Sequence, residues 1–140
     1  MAGQFAQKED FLKDKDIVAY QEKSLGVIVI NRPRALNALT WEMIREIRAT
    51  LEAWENDDTV KAVIFYGAGE RSFCAGGDIK AVHQHSKEDA HAYFADEYGM
   101  NAQLYHYRKP LIAFMNGFTM GGGYGVAGFC DYRIFTERTR

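Results

Sequence analysis

Two glycine-rich segments constrain the fold of this 140-residue chain more than any other feature. Each follows a short apolar run and precedes a helical pattern, at residues 72–78 and again at residues 121–125. A glycine at such a place lets a ligand approach the backbone, and a following helix adds positive potential at its N-terminus. The two segments therefore predict a site built from backbone amides. Glycine clusters also serve as turns and close-packing positions, so spacing alone leaves both interpretations open.

The order of apolar runs and helical patterns predicts a mixed α/β fold. Strands are predicted at 17–20, 25–30, 60–66, 111–115 and 131–135, the first two joined by a tight turn. Helices are predicted over 41–54, from 79, over 87–107 and after 125. Thr40 is a suitable N-cap for the first of these helices. The strand–helix–strand order predicts a βαβ-like unit with a right-handed crossover.

Charge and composition exclude several classes of partner. The 17 Lys and Arg residues face 19 Asp and Glu residues, a net charge of −2, so no nucleic-acid binding is expected. The chain contains no run of 18 apolar residues, so no membrane span is predicted. Cys74 and Cys130 cannot form a disulfide framework and are interpreted as buried, reduced thiols. Together with an N-terminus that lacks a signal-peptide pattern, they lead us to expect a cytoplasmic location.

Several residues with chemical potential are interpreted as structural. His83, His85 and His91 lie on a polar stretch without a ligand spacing, so no metal site is predicted. Cys74 has no recognisable histidine partner and is interpreted as a small core residue. Asp78 begins a predicted helix, where a carboxylate acts as an N-cap.

Three motifs together carry a family resemblance. Asn-Ala-Leu at 37–39 after NRPRA, SFCAGGDIK at 72–80 and KPLIAFMNGFTMGGGYG at 109–125 resemble the crotonase, or enoyl-CoA hydratase/isomerase, superfamily, in its order and at about its spacing. The resemblance implies a crotonase-like spiral of short α/β elements, with the C-terminal part absent from this chain. Residues 1–16 are then a polar N-terminal segment, and residues 17–140 are the N-terminal part of an acyl-CoA-binding domain.

The resemblance also implies a substrate and a site. The substrate is an acyl-CoA, so coenzyme A enters as part of the substrate and no separate cofactor is expected. The two backbone amides that hold the thioester oxygen correspond to those of Gly77 and Gly122, which are the implied catalytic residues. Glu97 corresponds to a glutamate that contacts substrate. The remaining implied substrate-binding residues are Arg34, Ala35, Ala75, Gly76, Asp78, Ile79 and Lys80.

One position separates the branches of this superfamily. Hydratases carry a catalytic glutamate three residues after the middle glycine of the triplet, and this chain has Gly125 there. The segments 94–98 and 132–139 instead resemble the 3-hydroxyisobutyryl-CoA hydrolase branch. We therefore expect hydrolysis of a 3-hydroxyacyl-CoA thioester, as in valine breakdown. The alternatives are an enoyl-CoA hydratase or isomerase, and a CoA-thioester-binding module without turnover.

The same resemblance places the two acids that carry out hydrolysis beyond residue 140. We therefore expect the isolated chain to be inactive and prone to associate. Val126, Phe129 and Ile134 are expected to expose apolar surface in the absence of a partner segment. The sequence does not give the oligomeric state; because members of this family usually associate through their C-terminal helices, a homo-oligomer is one possibility.

Overall fold

The computed structural model describes residues 14–140, so nearly all of the predicted polar segment 1–16 lies outside the described residues. The strands are β1 (Ile17–Glu22), β2 (Leu25–Ile30), β3 (Ala62–Gly67), β4 (Ser72–Cys74), β5 (Leu111–Met115), β6 (Phe118–Thr119) and β7 (Tyr132–Phe135). The helices are α1 (Trp41–Glu55), α2 (Ile79–His83), α3 (Lys87–Tyr105) and α4 (Gly122–Gly128), with a 3₁₀ turn at Pro33–Ala35. Within residues 14–140, no helix is both long enough and apolar enough to cross a membrane.

The main sheet has the strand order β1-β2-β3-β5-β7. β1 and β2 form the predicted antiparallel hairpin, whereas β2–β3, β3–β5 and β5–β7 are parallel pairs. The carboxyl ends of the four parallel strands therefore meet at one edge of the sheet, the place where such sheets bind ligands. The segments that follow β2, β4 and β6 carry most of the predicted site residues to this edge.

Helix α1 covers one face of the main sheet and begins where the sequence predicts. The Thr40 hydroxyl accepts a hydrogen bond of 3.3 Å from the Met43 amide, which confirms the predicted N-cap. The helix buries a single apolar stripe, made of Met43, Ile44, Ile47 and Leu51. Strand β2 is buried on both sides, because Ile28 and Ile30 join this core while its valines join a smaller cluster on the opposite face.

Asp96 fixes the rotation of α3 against α1. Its Oδ2 accepts a hydrogen bond of 2.6 Å from Trp41 Nε1, and its Oδ1 forms an ion pair with Arg48. Successive helical residues point about 100° apart. With Asp96 held toward α1, the next residue, Glu97, faces α4 instead.

A second, two-stranded sheet joins the two glycine-rich segments. Strands β4 and β6 run parallel, with Ser72 opposite Phe118 and Cys74 opposite Thr119. The Met120 amide continues the pairing by donating a hydrogen bond of 3.1 Å to the Cys74 carbonyl. The sequence predicts a loop here, because strands of two or three residues are too short to show a period.

The structure corrects three further expectations. Helix α4 begins at Gly122, so two of the triplet glycines lie inside its first turn rather than in a loop before it. Helix α3 ends at Tyr105, two residues before the predicted end. Val126 is fully buried, because it faces the core from α4. Phe129 and Ile134 do expose apolar surface, at 42% and 44%.

Asn37 ties the loop after β2 to the loop after β3. Its backbone is left-handed, with φ of +57°, and its side chain is completely buried. The side-chain Nδ2 donates to the carbonyls of Ala68 and Ser72, at 3.0 and 2.7 Å, while Oδ1 accepts from the Arg32 amide at 2.8 Å. One side chain thus satisfies three backbone groups from two separate loops.

We expect Asn37→Ala to lower the free energy of unfolding by about 2–3 kcal/mol, because buried backbone groups lose their partners. Urea denaturation followed by circular dichroism measures the loss. Asn56→Ala is the matched control, since Asn56 is exposed and donates to the Glu52 carbonyl at 3.0 Å. Equal losses in the two variants would contradict a special role for Asn37.

Candidate functional site

The two glycine-rich segments touch at the carboxyl edge of the main sheet. A Cβ added to Gly76 would lie 3.1 Å from the Met120 carbonyl oxygen and 3.4 Å from the Gly122 amide nitrogen. A Cβ added to Gly122 would lie 3.4 Å from the Gly77 amide nitrogen. Gly76 also has a φ of +108°, which only glycine adopts readily. The backbones of Gly77 and Gly122 are therefore immediate neighbours, and side chains would separate them.

The amides of these two glycines have no acceptor among the described residues. Gly122 is the first residue of α4, so its N–H has no intrahelical partner. On either side of Gly77, the Leu39 amide donates to the Gly76 carbonyl and the Asp78 amide donates to the Leu39 carbonyl, both at 2.8 Å. Neither hydrogen bond uses the Gly77 N–H. Two free N–H groups in one small space can hold an oxygen atom that gains negative charge.

The segment after β2 lies alongside the first glycine-rich segment. The Ala75 amide donates a hydrogen bond of 3.0 Å to the Leu36 carbonyl, which brings Ala35 close to this loop. Arg34 is exposed at the surface, and so is Lys80 at the start of α2. Ile79, also at the start of α2, exposes 77% of its surface.

Asp78 caps α2 as the sequence predicts. Its Oδ1 accepts a hydrogen bond of 3.1 Å from the Ala81 amide, and its Oδ2 forms an ion pair of 3.0 Å with Arg32. Burial tends to raise the pKa of Asp78, but the Ala81 hydrogen bond and the Arg32 guanidinium outweigh it and hold this pKa below its usual value. The carboxylate stays ionised and fixes the loop that contains Gly76 and Gly77.

Glu97 is the buried carboxyl group of the site. It is 8% exposed, and its Oε1 lies so near Gly122 that no real Cβ would fit between them. Within residues 14–140 the side chain has neither a hydrogen bond nor an ion pair. Burial raises the pKa of Glu97 above its ordinary value, because the charged form loses its water. The site therefore holds an uncompensated carboxyl group beside its two free amides.

Cys74 and Tyr93 are buried residues next to the two glycine-rich segments, Cys74 beside Gly123 and Tyr93 beside Gly77. Burial, with a smaller contribution from the nearby Glu97, raises the pKa of the Cys74 thiol to about 12. The thiol stays protonated at neutral pH, in agreement with its interpretation as a core residue. The Tyr93 hydroxyl donates a hydrogen bond of 3.0 Å to the Leu39 carbonyl and lies against the Cα of Gly77.

Asn101 is the residue of this region that sequence reasoning missed. It follows Glu97 by one turn of α3 and faces Gly125, where a Cβ would lie 3.2 Å from both atoms of its amide group. Its Oδ1 is buried and has no hydrogen-bond partner among the described residues. The spacing of four from Glu97 was the available signal, because residues four apart share one helix face.

The chain matches known proteins over most of its length. Residues 25–140 match the family described as enoyl-CoA hydratase/isomerase. The 3-hydroxyisobutyryl-CoA hydrolase, mitochondrial, of Danio rerio is 46% identical over 117 residues, which are 81% of this chain and 31% of that protein. The Homo sapiens protein of the same name is 39% identical over 127 residues, which are 89% of this chain and 33% of that protein. The chain thus spans about a third of the length of these curated relatives.

Solved structures share the fold. A carnitinyl-CoA dehydratase from Mycobacterium thermoresistibile superposes with a TM-score of 0.86 at 41% identity, covering 90% of this chain and 38% of that one. An enoyl-CoA hydratase from Rhodobacter sphaeroides gives a TM-score of 0.84 at 39% identity, covering 89% of this chain and 38% of that one. The predicted crotonase-like α/β fold and the resemblance to the 3-hydroxyisobutyryl-CoA hydrolase branch are both confirmed.

The expected cytoplasmic location is wrong. The curated relatives from Danio rerio, Gallus gallus and Homo sapiens are all described as mitochondrial. Reduced, buried cysteines do not distinguish the cytoplasm from other reducing compartments, which is why composition pointed to the wrong place.

Glu97→Gln is expected to stabilise the protein at neutral pH. Because the folded-state pKa of Glu97 is raised, ionisation destabilises the fold as pH rises from the ordinary value of 4.5 through the raised pKa. Glutamine cannot ionise, so the variant should unfold at higher urea concentration than the parent at pH 7 and at the same concentration well below pH 4.5. Midpoints measured across this pH range test the sign.

Glu52→Gln is the matched control, because Glu52 is an exposed carboxylate on α1. Its unfolding midpoint should follow the parent at every pH. A Glu97→Gln advantage that persists unchanged in acid would show that packing, rather than charge, causes it.

Proposed function

We propose that this chain, which belongs to the enoyl-CoA hydratase/isomerase family, binds the thioester of a 3-hydroxyacyl-CoA. The thioester is then hydrolysed to a free acid and coenzyme A. The observation that carries the proposal is the meeting of two unpartnered backbone amides, at Gly77 and Gly122, beside the buried carboxyl group of Glu97. The 3-hydroxyisobutyryl-CoA hydrolases at 37–46% identity support the substrate class. The proposed place in metabolism is valine degradation, in the mitochondrion.

In this proposal the amides of Gly77 and Gly122 form an oxyanion hole. The thioester oxygen accepts a hydrogen bond from each, and water attacks the carbonyl carbon. The carbonyl electron pair moves onto the oxygen, whose negative charge the two N–H groups stabilise. When the carbonyl re-forms, the carbon–sulfur bond breaks, and the proton that the attacking water gives up passes to the sulfur, so coenzyme A leaves as the thiol.

The remaining predicted residues bind the substrate. Glu97 contacts the acyl group next to the hole, where its carboxyl group can accept or share a proton with a bound oxygen. Arg34 and Lys80 are exposed cations that attract the phosphates of coenzyme A. The exposed Ile79 offers apolar surface to the nucleotide. Coenzyme A is proposed as part of the substrate, with no other cofactor.

Gly125 distinguishes hydrolysis from hydration. Water addition across a double bond needs an acid–base group near the β-carbon, and a glycine provides none. The hydratase alternative therefore has less support from this site, although the solved neighbours include hydratases and a dehydratase. Association of copies through the exposed Phe129 and Ile134 is also part of the proposal.

The full-length protein that contains this chain should release coenzyme A from 3-hydroxyisobutyryl-CoA, as detected by a thiol reagent. Crotonyl-CoA should be hydrated slowly or not at all, because Gly125 cannot transfer a proton. Fast hydration of crotonyl-CoA without release of coenzyme A would favour the hydratase. Tight binding of both thioesters without turnover would favour a binding module.

Gly122→Pro should lower kcat by about 10²–10³-fold relative to Gly122→Ala. Proline fits the first position of a helix, so its main effect is to remove the N–H that the proposed oxyanion hole requires. Gly122→Ala is the matched control, since it keeps the N–H but adds the same Cβ against Glu97. Circular dichroism verifies folding, and equal kcat values in the two folded variants would contradict the assignment.

A further inference from the structure

Asn101 presents an amide group that no described residue satisfies. Its Oδ1 is buried without a hydrogen-bond partner, although a buried polar atom usually has one. Leaving such an atom unpaired destabilises the folded state. On the side of α4 the amide faces Gly125, which contributes no side chain, and even a Cβ there would lie 3.2 Å from both amide atoms.

The position of Asn101 relates it directly to the proposed oxyanion hole. Glu97 lies against Gly122, and one turn further along both helices Asn101 lies against Gly125. Three residues along a helix correspond to about 4.5 Å. When the thioester carbonyl carbon lies at Gly122, the third carbon of the acyl group is two bonds further on. A substituent on that carbon therefore reaches the level of Asn101.

A primary amide can both donate a hydrogen bond to a hydroxyl group and accept one from it. Its oxygen accepts a hydrogen bond and its nitrogen donates one, while a hydroxyl can do the same at a single oxygen atom. An ionised carboxylate such as Glu97 only accepts, and an enoyl or saturated acyl group offers neither donor nor acceptor at that carbon. The amide therefore favours acyl groups that carry a hydroxyl.

We propose that Asn101 is a specificity-determining residue that binds the 3-hydroxyl of the acyl group through its side-chain amide. This inference rests on the proposed function for the placement of the thioester. It adds the reason why a hydroxylated acyl-CoA is chosen over its saturated analogue. Neither the Asn101 amide nor the 3-hydroxyl is charged, so the preference for hydroxylated acyl groups does not change when Glu97 gains or loses its proton.

The test compares two ligands that differ only in the hydroxyl. Analogues of 3-hydroxyisobutyryl-CoA and isobutyryl-CoA, with a methylene group in place of the thioester sulfur, are bound to the full-length protein and titrated by calorimetry. The parent should bind the hydroxyl analogue more tightly, and Asn101→Leu should reduce that preference about tenfold, the loss expected for one well-placed hydrogen bond. A structural defect would weaken both ligands equally.

Gln103→Leu is the matched control. Gln103 is another amide on α3 with a buried, unpartnered Oε1, but its Nε2 donates to the Arg48 carbonyl at 3.1 Å, on the side of α1. Its substitution should leave the preference unchanged. Asn101→Ala, which suits a helix interior, replaces Asn101→Leu if the larger side chain prevents folding.

The outcomes separate the two proposals. An unchanged preference in folded Asn101 variants, or a parent that does not distinguish the two analogues, overturns the role of Asn101 whether or not the protein is a hydrolase. Absence of coenzyme A release from the natural thioester overturns the proposed hydrolysis, while a lost preference in the binding measurement still supports Asn101.

Discussion

The parallel pairing of β4 with β6 is the contact on which the candidate site depends. Each strand has only two or three residues, yet together they bring the segment after β3 against the segment after β5. Gly76 and Gly77 follow the first strand within three residues, and Gly122 follows the second at the same distance. The pairing is irregular, because two residues of β4 oppose one step of β6, and a further change in this register would separate the two amides.

The close approach of these segments explains why small residues accumulate there. A side chain at Gly123 would collide with the Cys74 backbone, and one at Gly77 would press on the Tyr93 hydroxyl. Glycines cost conformational entropy on folding, so the loops need fixed supports. Two contacts provide them: Asn37 links the loop after β2 to residues 68–72, and the Asp78–Arg32 ion pair links it to the segment after β4.

Periodicity was sufficient for the main sheet and the long helices but not for the contacts between them. Strand β5 lies where the sequence predicts it because it is a continuous apolar run, and α1 begins where predicted because its apolar residues recur every three or four positions. Strands β4 and β6 are too short for any period. The burial of Glu97 and Asn101 depends on how α3 packs against α4, a long-range property that one sequence does not reveal. Family motifs identified Glu97, whereas Asn101 belonged to no quoted motif.

The contact between α3 and α4 is where local stability and function oppose each other. An ionised Glu97 beside an unpaired Asn101 amide weakens the folded state, and apolar side chains in their place would pack without that cost. Natural proteins leave buried polar groups unsatisfied mainly at functional sites. The glycines of α4 place no side chain over either group. Under the proposed function, a ligand hydroxyl supplies a hydrogen bond that the protein does not. In that proposal, the Asn101 amide that stays unpaired in the free protein contributes specificity in the complex.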